Sequence, residues 1–260
     1  MTDQAILRID GLAKRYAGLT VTDDVSLDIR TGELHAIIGP NGAGKTTLIA
    51  QLAGQVAPDR GHIWFDGRDI ARATPPERAK AGIARSFQIT SIFPNFSTVA
   101  NVAIAVQGQK RHSFRFWRAA DRDPALLEPA RKLVEEVGLG DRMTTPAAVL
   151  SHGEHRLLEL AIALAQQPRL LLLDEPMAGL GTEESKSLVD FLLTLKGRYT
   201  ILLVEHDMDA VFALADRISV LAAGALIATG LPDEIRVNPE VRTAYLGDEA
   251  PMGATAGGEM

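Results

Sequence analysis

GPNGAGKTT, residues 39–47, is the stretch of sequence that decides the fold. The apolar run LHAII (34–38) before it is typical of a buried strand, and LIAQL (48–52) after it has apolar residues at helical spacing. Strand, glycine-rich loop and helix in this order form the setting of a phosphate-binding loop. A chance glycine-rich turn is the alternative, but the flanking strand and helix favour nucleotide binding.

The residue types in this loop suit the phosphates of a nucleotide. Gly39, Gly42 and Gly44 let the backbone turn its N–H groups toward an anion, and the following helix adds the positive end of its dipole. Lys45 is placed to reach the β and γ phosphates, and the Thr46 hydroxyl to ligate Mg²⁺. We therefore expect a nucleotide site that also holds Mg²⁺.

The composition fits one globular domain, or one domain with an inserted lobe. The chain has 260 residues, 46% of them hydrophobic, which is enough to bury a sizeable core. No apolar run reaches about 18 residues and the N-terminus has no signal pattern, so we expect a soluble protein in the cytoplasm. The sequence contains no cysteine, which excludes thiol chemistry. A net charge of −6 argues against a nucleic-acid partner.

The order of strand and helix signals predicts an α/β fold with a parallel core, an antiparallel β layer and an inserted helical lobe. GHIWFDGR (61–68) predicts two short antiparallel strands joined by an Asp-Gly turn. Helical signals, among them an amphipathic stretch at 126–137, predict the lobe at about 92–157 of a single domain that spans 1–247. The small, polar residues 248–260 predict a disordered tail.

Basic and aromatic residues are interleaved in GQKRHSFRFWRAADRD (108–123), inside the predicted lobe. Such a mixture suits a membrane interface, a partner protein or a nucleic acid. An exposed segment with a solvated charged face would have the same composition. Both interpretations stay open, and docking at a membrane-facing partner is the preferred functional one.

A second anion site is predicted at the start of the helix in LSHGEHRLLELAIALA (150–165). Ser151 is a favourable N-cap, and Glu154 stands at the capping-box spacing ahead of leucines on one helical face. Gly153 leaves room for close approach to the N-terminal N–H groups of the helix. Helix capping without ligand binding is the alternative.

Functional side chains follow two predicted buried strands. The apolar run 170–173 ends in Asp174 and Glu175, and the apolar run 201–204 is followed closely by His206. Asp174 suits a carboxylate that holds Mg²⁺ through water, and Glu175 suits a base that orients or deprotonates the attacking water. Because parallel strands end at one edge of an open α/β sheet, His206 is placed to contact a γ-phosphate there.

The order of these motifs resembles that of the ATP-binding cassette (ABC) ATPases over roughly residues 5–247. In that resemblance Tyr16 is the aromatic residue that stacks on adenine, and Gln88 is the Q-loop glutamine. The implied nucleotide site consists of Tyr16, Gly39, Pro40, Asn41, Gly42, Ala43, Gly44, Lys45, Thr46, Thr47, Gln88, Ser151, Gly153 and Glu154. The implied catalytic residues are Glu175, His206 and Lys45, and the implied Mg²⁺ ligands are Thr46, Gln88 and, through water, Asp174.

Three features resemble in particular the ATPase subunits of branched-chain amino acid importers: the long lobe, LLLLDEPMAGL (170–180) and PDEIRVNPEVRTAYLG (232–247). The resemblance implies an ATPase, with ATP and Mg²⁺ as cofactors, that powers import of branched-chain amino acids or related small polar solutes. It implies a head-to-tail dimer, with itself or with a second ABC ATPase, on integral membrane permease subunits at the cytoplasmic face of the inner membrane. A periplasmic or extracellular solute-binding protein would act indirectly, and no nucleic acid is expected.

Two other functions fit the same motifs. ATPases of lipopolysaccharide export also resemble this chain, and a soluble ABC ATPase without a membrane partner is the second alternative. The chain departs from the usual family pattern at His152, Glu154 and Gly181. We expect phosphate contact across the dimer to survive the first two changes, because the backbone donors remain. Gly181 stands where the family commonly has an acid, and its lost side chain would weaken communication between the two sites.

Overall fold

The computed structural model describes residues 5–86, 92–109 and 123–246. Its strands are β1 (Ala5–Tyr16), β2 (Leu19–Arg30), β3 (Leu34–Ile38), β4 (Arg60–Phe65), β5 (Arg68–Asp69), β6 (Ile83–Ser86), β7 (Leu170–Asp174), β8 (Thr200–Val204), β9 (Arg217–Ala222) and β10 (Ala225–Gly230). Its helices are α1 (Lys45–Leu52), α2 (Pro75–Ala81), α3 (Thr98–Gln109), α4 (Pro124–Glu136), α5 (His152–Ala165), α6 (Thr182–Leu195), α7 (Met208–Leu214), α8 (Pro232–Val237) and α9 (Pro239–Leu246).

A six-stranded sheet forms the centre of the fold, in the order β10-β9-β3-β8-β7-β6. All of its neighbouring pairs are parallel except β10 with β9. Strands β3 and β8 are buried at every residue, as their mainly apolar sequences predict for strands covered on both faces. The parallel core inferred from the sequence is confirmed, and β3, β7 and β8 end at one edge of the sheet.

The predicted antiparallel layer is a second sheet, in the order β2-β1-β4-β5. Strands β4 and β5 form the short hairpin expected from the Asp-Gly turn. Asp66 and Gly67 both have positive φ, 50° and 74°, which is the conformation that favours Asp-Gly in a two-residue hairpin loop.

Each face of the six-stranded sheet packs on its own apolar cluster. Successive side chains of a strand point to opposite faces, so Leu171 and Leu173 lie in one cluster while Leu170 and Leu172 lie in the other. The first cluster includes buried residues of α3 to α7, and the second includes those of α1 and the antiparallel sheet. The central sheet is therefore held between the helices and the smaller sheet.

The helical signals of the predicted lobe correspond to α3, α4 and the start of α5. The Asn101 side chain, 3% exposed, accepts from the Phe93 N–H at 2.7 Å and donates to the Phe93 carbonyl at 3.1 Å, which fixes the loop before α3. Most of the basic-aromatic segment lies outside the described residues, and so does the tail 248–260. Among the residues that the structure describes, no helix is long and apolar enough to span a membrane.

Helix α6 is not among the elements predicted from the sequence. Its buried face consists of Leu188, Leu192 and Leu195, which stand at helical spacing. Helix α6 follows the loop that begins after the acidic end of β7, so it helps to position the residues at that end.

Arg78 of α2 joins three segments near the phosphate-loop helix. Its side chain is 1% exposed, and its guanidinium donates to the carbonyls of Gln51 and Leu52 at the end of α1 at 2.6 and 2.8 Å. It also donates to the carbonyls of Ile70, Ala71 and Ala73. Burial lowers the pKa of Arg78 to about 10, so the group is still a cation at neutral pH. A single side chain thereby satisfies several buried carbonyls.

We expect the substitution Arg78→Met to lower the free energy of unfolding by about 3 kcal/mol or more, because it leaves buried carbonyl groups without donors. Arg78→Lys supplies fewer donors and should give an intermediate loss. Urea denaturation followed by circular dichroism measures both. Lys80→Met, at an exposed position of the same helix, is the matched control and should change stability by less than about 0.5 kcal/mol. A loss in Arg78→Met no larger than in the control would contradict this role.

Candidate functional site

The phosphate loop connects β3 to α1, and neighbouring backbone leaves no space for side chains at two of its glycines. A Cβ at Gly39 would lie 2.0 Å from the carbonyl oxygen of Leu221, and a Cβ at Gly44 would lie 2.3 Å from that of Val21. Gly44 is also the N-cap of α1, with φ 103°. Packing of the loop against β9 and β2 is thus a second reason for glycine, beside access to an anion.

Lys45 lies at the start of α1 and is almost fully buried. Its Nζ donates to the carbonyl oxygens of Gly39 at 2.6 Å and Pro40 at 3.1 Å, which closes the loop on itself. Burial lowers the pKa of Lys45, and the charges of Glu175 and Asp174 act in the opposite direction. The predicted loop lysine and the predicted acidic pair lie at the same edge of the central sheet, because β3, β8 and β7 are parallel neighbours.

The acidic pair occupies the end of β7. Asp174 is the last residue of the strand, and its side chain is 7% exposed and paired with Arg85. The Glu175 N–H donates to the Val204 carbonyl at 2.8 Å, and Glu175 has φ 50°, a conformation uncommon for a residue with a side chain. Strain of this kind clusters at functional sites, where the surrounding structure must hold it.

Glu205 organises the neighbouring strand end. Its carboxylate is fully buried and accepts from the N–H groups of Met177 at 2.9 Å, His206 at 2.7 Å and Asp207 at 3.2 Å. The His206 ring lies next to this carboxylate, with Nδ1 at 3.4 Å, and its side chain is 61% exposed. Glu205 therefore ties the loop after Glu175 to the turn that presents His206.

The N-terminus of α5 has the predicted capping box. The Ser151 hydroxyl accepts from the Glu154 N–H at 3.2 Å, and the Glu154 carboxylate accepts from the Ser151 N–H at 2.8 Å. Glu154 also pairs with Arg142 at 2.7 Å, and these hydrogen bonds hold the pKa of Glu154 below its ordinary value. Glu154, one of the three departures from the usual pattern, is thus a charged side chain anchored by several hydrogen bonds.

Two further contacts join this N-terminus to the loop that precedes α6. His152 Nε2 lies 3.5 Å from the Ala178 carbonyl oxygen. A Cβ at Gly153 would lie 2.6 Å from Oε1 of Glu184, whose other oxygen accepts from the Gly181 N–H at 3.1 Å. Glu184 thus occupies the space beside Gly153, and no side chain larger than hydrogen fits there without a shift.

Of the other predicted residues, Tyr16 and Thr46 are exposed in the structure. Tyr16, at the end of β1, is 47% exposed, with Lys14 Nζ 5.5 Å from its ring centroid. Thr46 is exposed at the first turn of α1. Gln88 falls outside the described residues, so its predicted position stays a prediction.

The donors near the loop suit a hard divalent cation. The Thr46 hydroxyl and the Asp174 carboxylate are oxygen ligands of the type that Mg²⁺ prefers, usually with several waters retained. Among the described residues, no group of three or more His, Cys, Asp and Glu side chains forms a complete metal cage. The residues therefore fit a Mg²⁺ ion held mainly by nucleotide phosphates and water.

Three residues that contact this site are not among the predicted ones. Arg85, Glu184 and Glu205 each place a charged group within 3.5 Å of a predicted residue or of the backbone beside it. A charged residue at the end of a continuous apolar strand is a sequence signal that identifies Glu205. The contacts of Arg85 with Asp174 and of Glu184 with Gly153 join residues 89 and 31 positions apart, and no local pattern indicates them.

Comparison with known proteins matches most of the chain. The family model described as "ABC transporter" matches residues 22–178, and the model "Branched-chain amino acid ATP-binding cassette transporter" matches residues 225–251. The chain is 36% identical to the high-affinity branched-chain amino acid transport ATP-binding protein LivG of Salmonella typhimurium, covering 94% of this chain and 99% of the relative. It is 37% identical to BraF of Pseudomonas aeruginosa, a protein of the same description, covering 94% and 98%.

Solved structures agree in fold. A nucleotide-free ATP-binding cassette of an ABC transporter superposes with a TM-score of 0.82 at 28% identity, covering 94% of this chain and 100% of that one. A cassette in its ADP conformation superposes with a TM-score of 0.83 at 27% identity and the same coverage. ATP-binding cassettes of these transporters hydrolyse ATP. From the family model, the relatives and the arrangement of the phosphate loop with the acidic pair, the chain belongs to the ABC transporter family, as one of its ATP-binding cassettes.

Proposed function

We propose that this chain is the ATP-hydrolysing subunit of an importer for branched-chain amino acids or related small polar solutes. The observation that supports hydrolysis most directly is that Lys45, Asp174 and Glu175 all follow parallel strands at one edge of the central sheet. The LivG and BraF relatives are described as branched-chain amino acid transport ATP-binding proteins, and the C-terminal family model has the same description. These descriptions favour this cargo over lipopolysaccharide, and a transporter subunit over a soluble ABC ATPase.

In the proposed site, adenine stacks on the exposed ring of Tyr16 and the phosphates lie in the loop 39–47. Lys45 exchanges its two backbone carbonyl partners for phosphate oxygens, which are stronger partners because they are charged. Thr46, Asp174 and Gln88 would hold Mg²⁺. Bound there, the ion would neutralise charge that develops on the phosphate oxygens.

Glu175 is the proposed base, since a carboxylate at the end of β7 can orient the attacking water and take its proton. The buried Glu205 fixes both the loop after Glu175 and the backbone of His206. The exposed His206 ring would then donate a hydrogen bond to the γ-phosphate. The charge of Lys45 lowers the electrostatic cost of bringing a polyanion next to two carboxylates.

We propose that two cassettes act together, head to tail, with a second copy of this chain or with a similar ATPase. The first-turn N–H groups of α5, beside Ser151 and Gly153, would contact the nucleotide held by the opposite phosphate loop. Integral membrane permease subunits would bind the dimer at the cytoplasmic face of the inner membrane. A periplasmic or extracellular solute-binding protein would act through the permease, and no nucleic acid takes part.

Replacing Glu175 with glutamine tests the proposed base. The E175Q protein should bind ATP with unchanged affinity, whereas its kcat should fall at least about 100-fold, because the amide cannot take a proton. ATP binding is measured by calorimetry and hydrolysis by phosphate release. Glu183→Gln, an exposed carboxylate on α6, is the matched control and should leave kcat unchanged. Normal turnover by E175Q would contradict the assignment.

Adding a methyl group at Gly153 tests the proposed role of the α5 N-terminus. In the E175Q background, Gly153→Ala should leave ATP binding by the monomer unchanged. It should weaken ATP-dependent dimerisation about tenfold or more, because the new Cβ displaces the Glu184 carboxylate and so changes the surface proposed to contact the opposite nucleotide. Light scattering after size exclusion measures the dimer. Gly140→Ala, where the nearest side-chain atom is 3.8 Å away, is the control. Adding Glu184→Ala to Gly153→Ala should restore part of the dimer, and full dimerisation of Gly153→Ala alone would argue against this surface.

Isolation from native membranes tests the transport function. The tagged chain should co-purify with a multi-spanning permease, and the complex in liposomes, with ATP on the side of the cassette, should take up leucine or valine when the solute-binding protein is present. The E175Q complex serves as the control and should show no uptake. Recovery of soluble proteins alone would favour the soluble alternative, and transport of lipopolysaccharide would favour the export alternative.

A further inference from the structure

Arg85, in β6, makes a buried ion pair with the acidic end of β7. Its Nη2 lies 2.8 Å from Oδ2 of Asp174, and the two side chains are 9% and 7% exposed. Strands β6 and β7 run parallel, with Arg85 beside Leu172, so the arginine reaches along the sheet to the last residue of the neighbouring strand. The contact joins residues 89 positions apart in sequence.

The other end of the guanidinium contacts the segment that follows the phosphate-loop helix. Arg85 Nη1 donates to Oε1 of Gln55, and the Gln55 N–H donates to the Ala50 carbonyl of α1 at 2.9 Å. Arg85 therefore bridges the acidic strand end and the end of α1. The planar guanidinium donates to two acceptors from different segments, which fixes its orientation more closely than a single lysine ammonium contact would.

Because this ion pair is largely buried, its cost in free energy bears on whether its role is stability or the orientation of Asp174. Taking an arginine and an aspartate out of water costs free energy that a single contact often does not return, so a buried pair is weak evidence for a role in stability. A carboxylate that binds a metal, by contrast, is commonly held by a hydrogen-bonding partner that sets its direction. Here Arg85 contacts Oδ2 of Asp174, and none of the described residues donates to its other oxygen, Oδ1.

We propose that Arg85 is a positioning residue for Mg²⁺: it holds Asp174 so that the free carboxylate oxygen faces the water shell of the ion. This inference rests on the proposed ATPase site and adds to it a residue that is not part of the predicted set. Without Arg85, the Asp174 carboxylate is free to turn toward the ammonium of Lys45, whose charge already acts on this region. That turn would remove both groups from their places around the nucleotide.

The test measures metal binding directly, in the E175Q background where ATP is not consumed. Electron paramagnetic resonance gives the Kd of Mn²⁺, a spectroscopic substitute for Mg²⁺, from the ATP-bound protein. Arg85→Met should raise this Kd about 10- to 100-fold, as expected for loss of a partner that orients a metal ligand. Arg85→Lys should give a smaller rise, because the charge remains while the two-pronged geometry is lost. ATP affinity in EDTA should stay unchanged in both variants.

Two comparisons separate positioning from a purely structural role. Arg169→Met removes an arginine from an exposed pair with Asp66 and should leave the Mn²⁺ Kd unchanged. In a protein that already carries Asp174→Asn, adding Arg85→Met should have little further effect, since both changes act on the same ligand. A structural role predicts instead that the two effects add and that ATP affinity in EDTA falls as well.

An unchanged or lower Mn²⁺ Kd in Arg85→Met would overturn the inference, and so would additivity with Asp174→Asn. If the protein with only E175Q bound no ATP, or the wild type did not hydrolyse it, the proposed function would fail before Arg85 is tested. If E175Q binds ATP and the wild type hydrolyses it, but the Mn²⁺ Kd of Arg85→Met equals that of the protein with E175Q alone, only the role of Arg85 is contradicted.

Discussion

The parallel pairing of β3, β7 and β8 is the constraint on which the rest of the structure depends. Strand β3 pairs with β8 and β8 with β7, all in the same direction, so the phosphate loop, the acidic pair and His206 leave the sheet at one edge. These strands are apolar because both faces of the sheet are covered. The packing of apolar strands therefore sets the distances between the side chains to which we assign chemical roles.

Charge at this edge is balanced within the protein. The buried Lys45 ammonium and the buried Arg85 guanidinium lie near the carboxylates of Asp174 and Glu175, and Lys45 also uses backbone carbonyls. Glu205 is satisfied differently, by three backbone N–H groups. Each of these charged groups has at least one partner of opposite charge or a hydrogen-bond partner, as buried charges require. This arrangement supports the proposed binding of a nucleotide together with Mg²⁺.

Much of the fold and of the candidate site is specified by local sequence patterns. The loop 39–47, the capping box at Ser151 and the Asp-Gly hairpin are each specified by residues a few positions apart, and the structure has the predicted elements at all three. Helix α6 is missing from the prediction even though its leucines have helical spacing. The partners of Arg85 and Gly153 could not be predicted, because the contacting residues are 89 and 31 positions away and no periodicity links them.

The sequence by itself determined the family and the α/β class and indicated the residues proposed to surround a nucleotide, since these depend on residue types at short, fixed spacings. Only the tertiary structure decided what holds those residues. Gly39 and Gly44 are required by the backbone of β9 and β2, Asp174 is held by Arg85, and Gly153 lies against Glu184. The physical reason is that a local motif sets the conformation of its own segment, whereas close packing and charge pairing act between segments that meet only when the chain has folded.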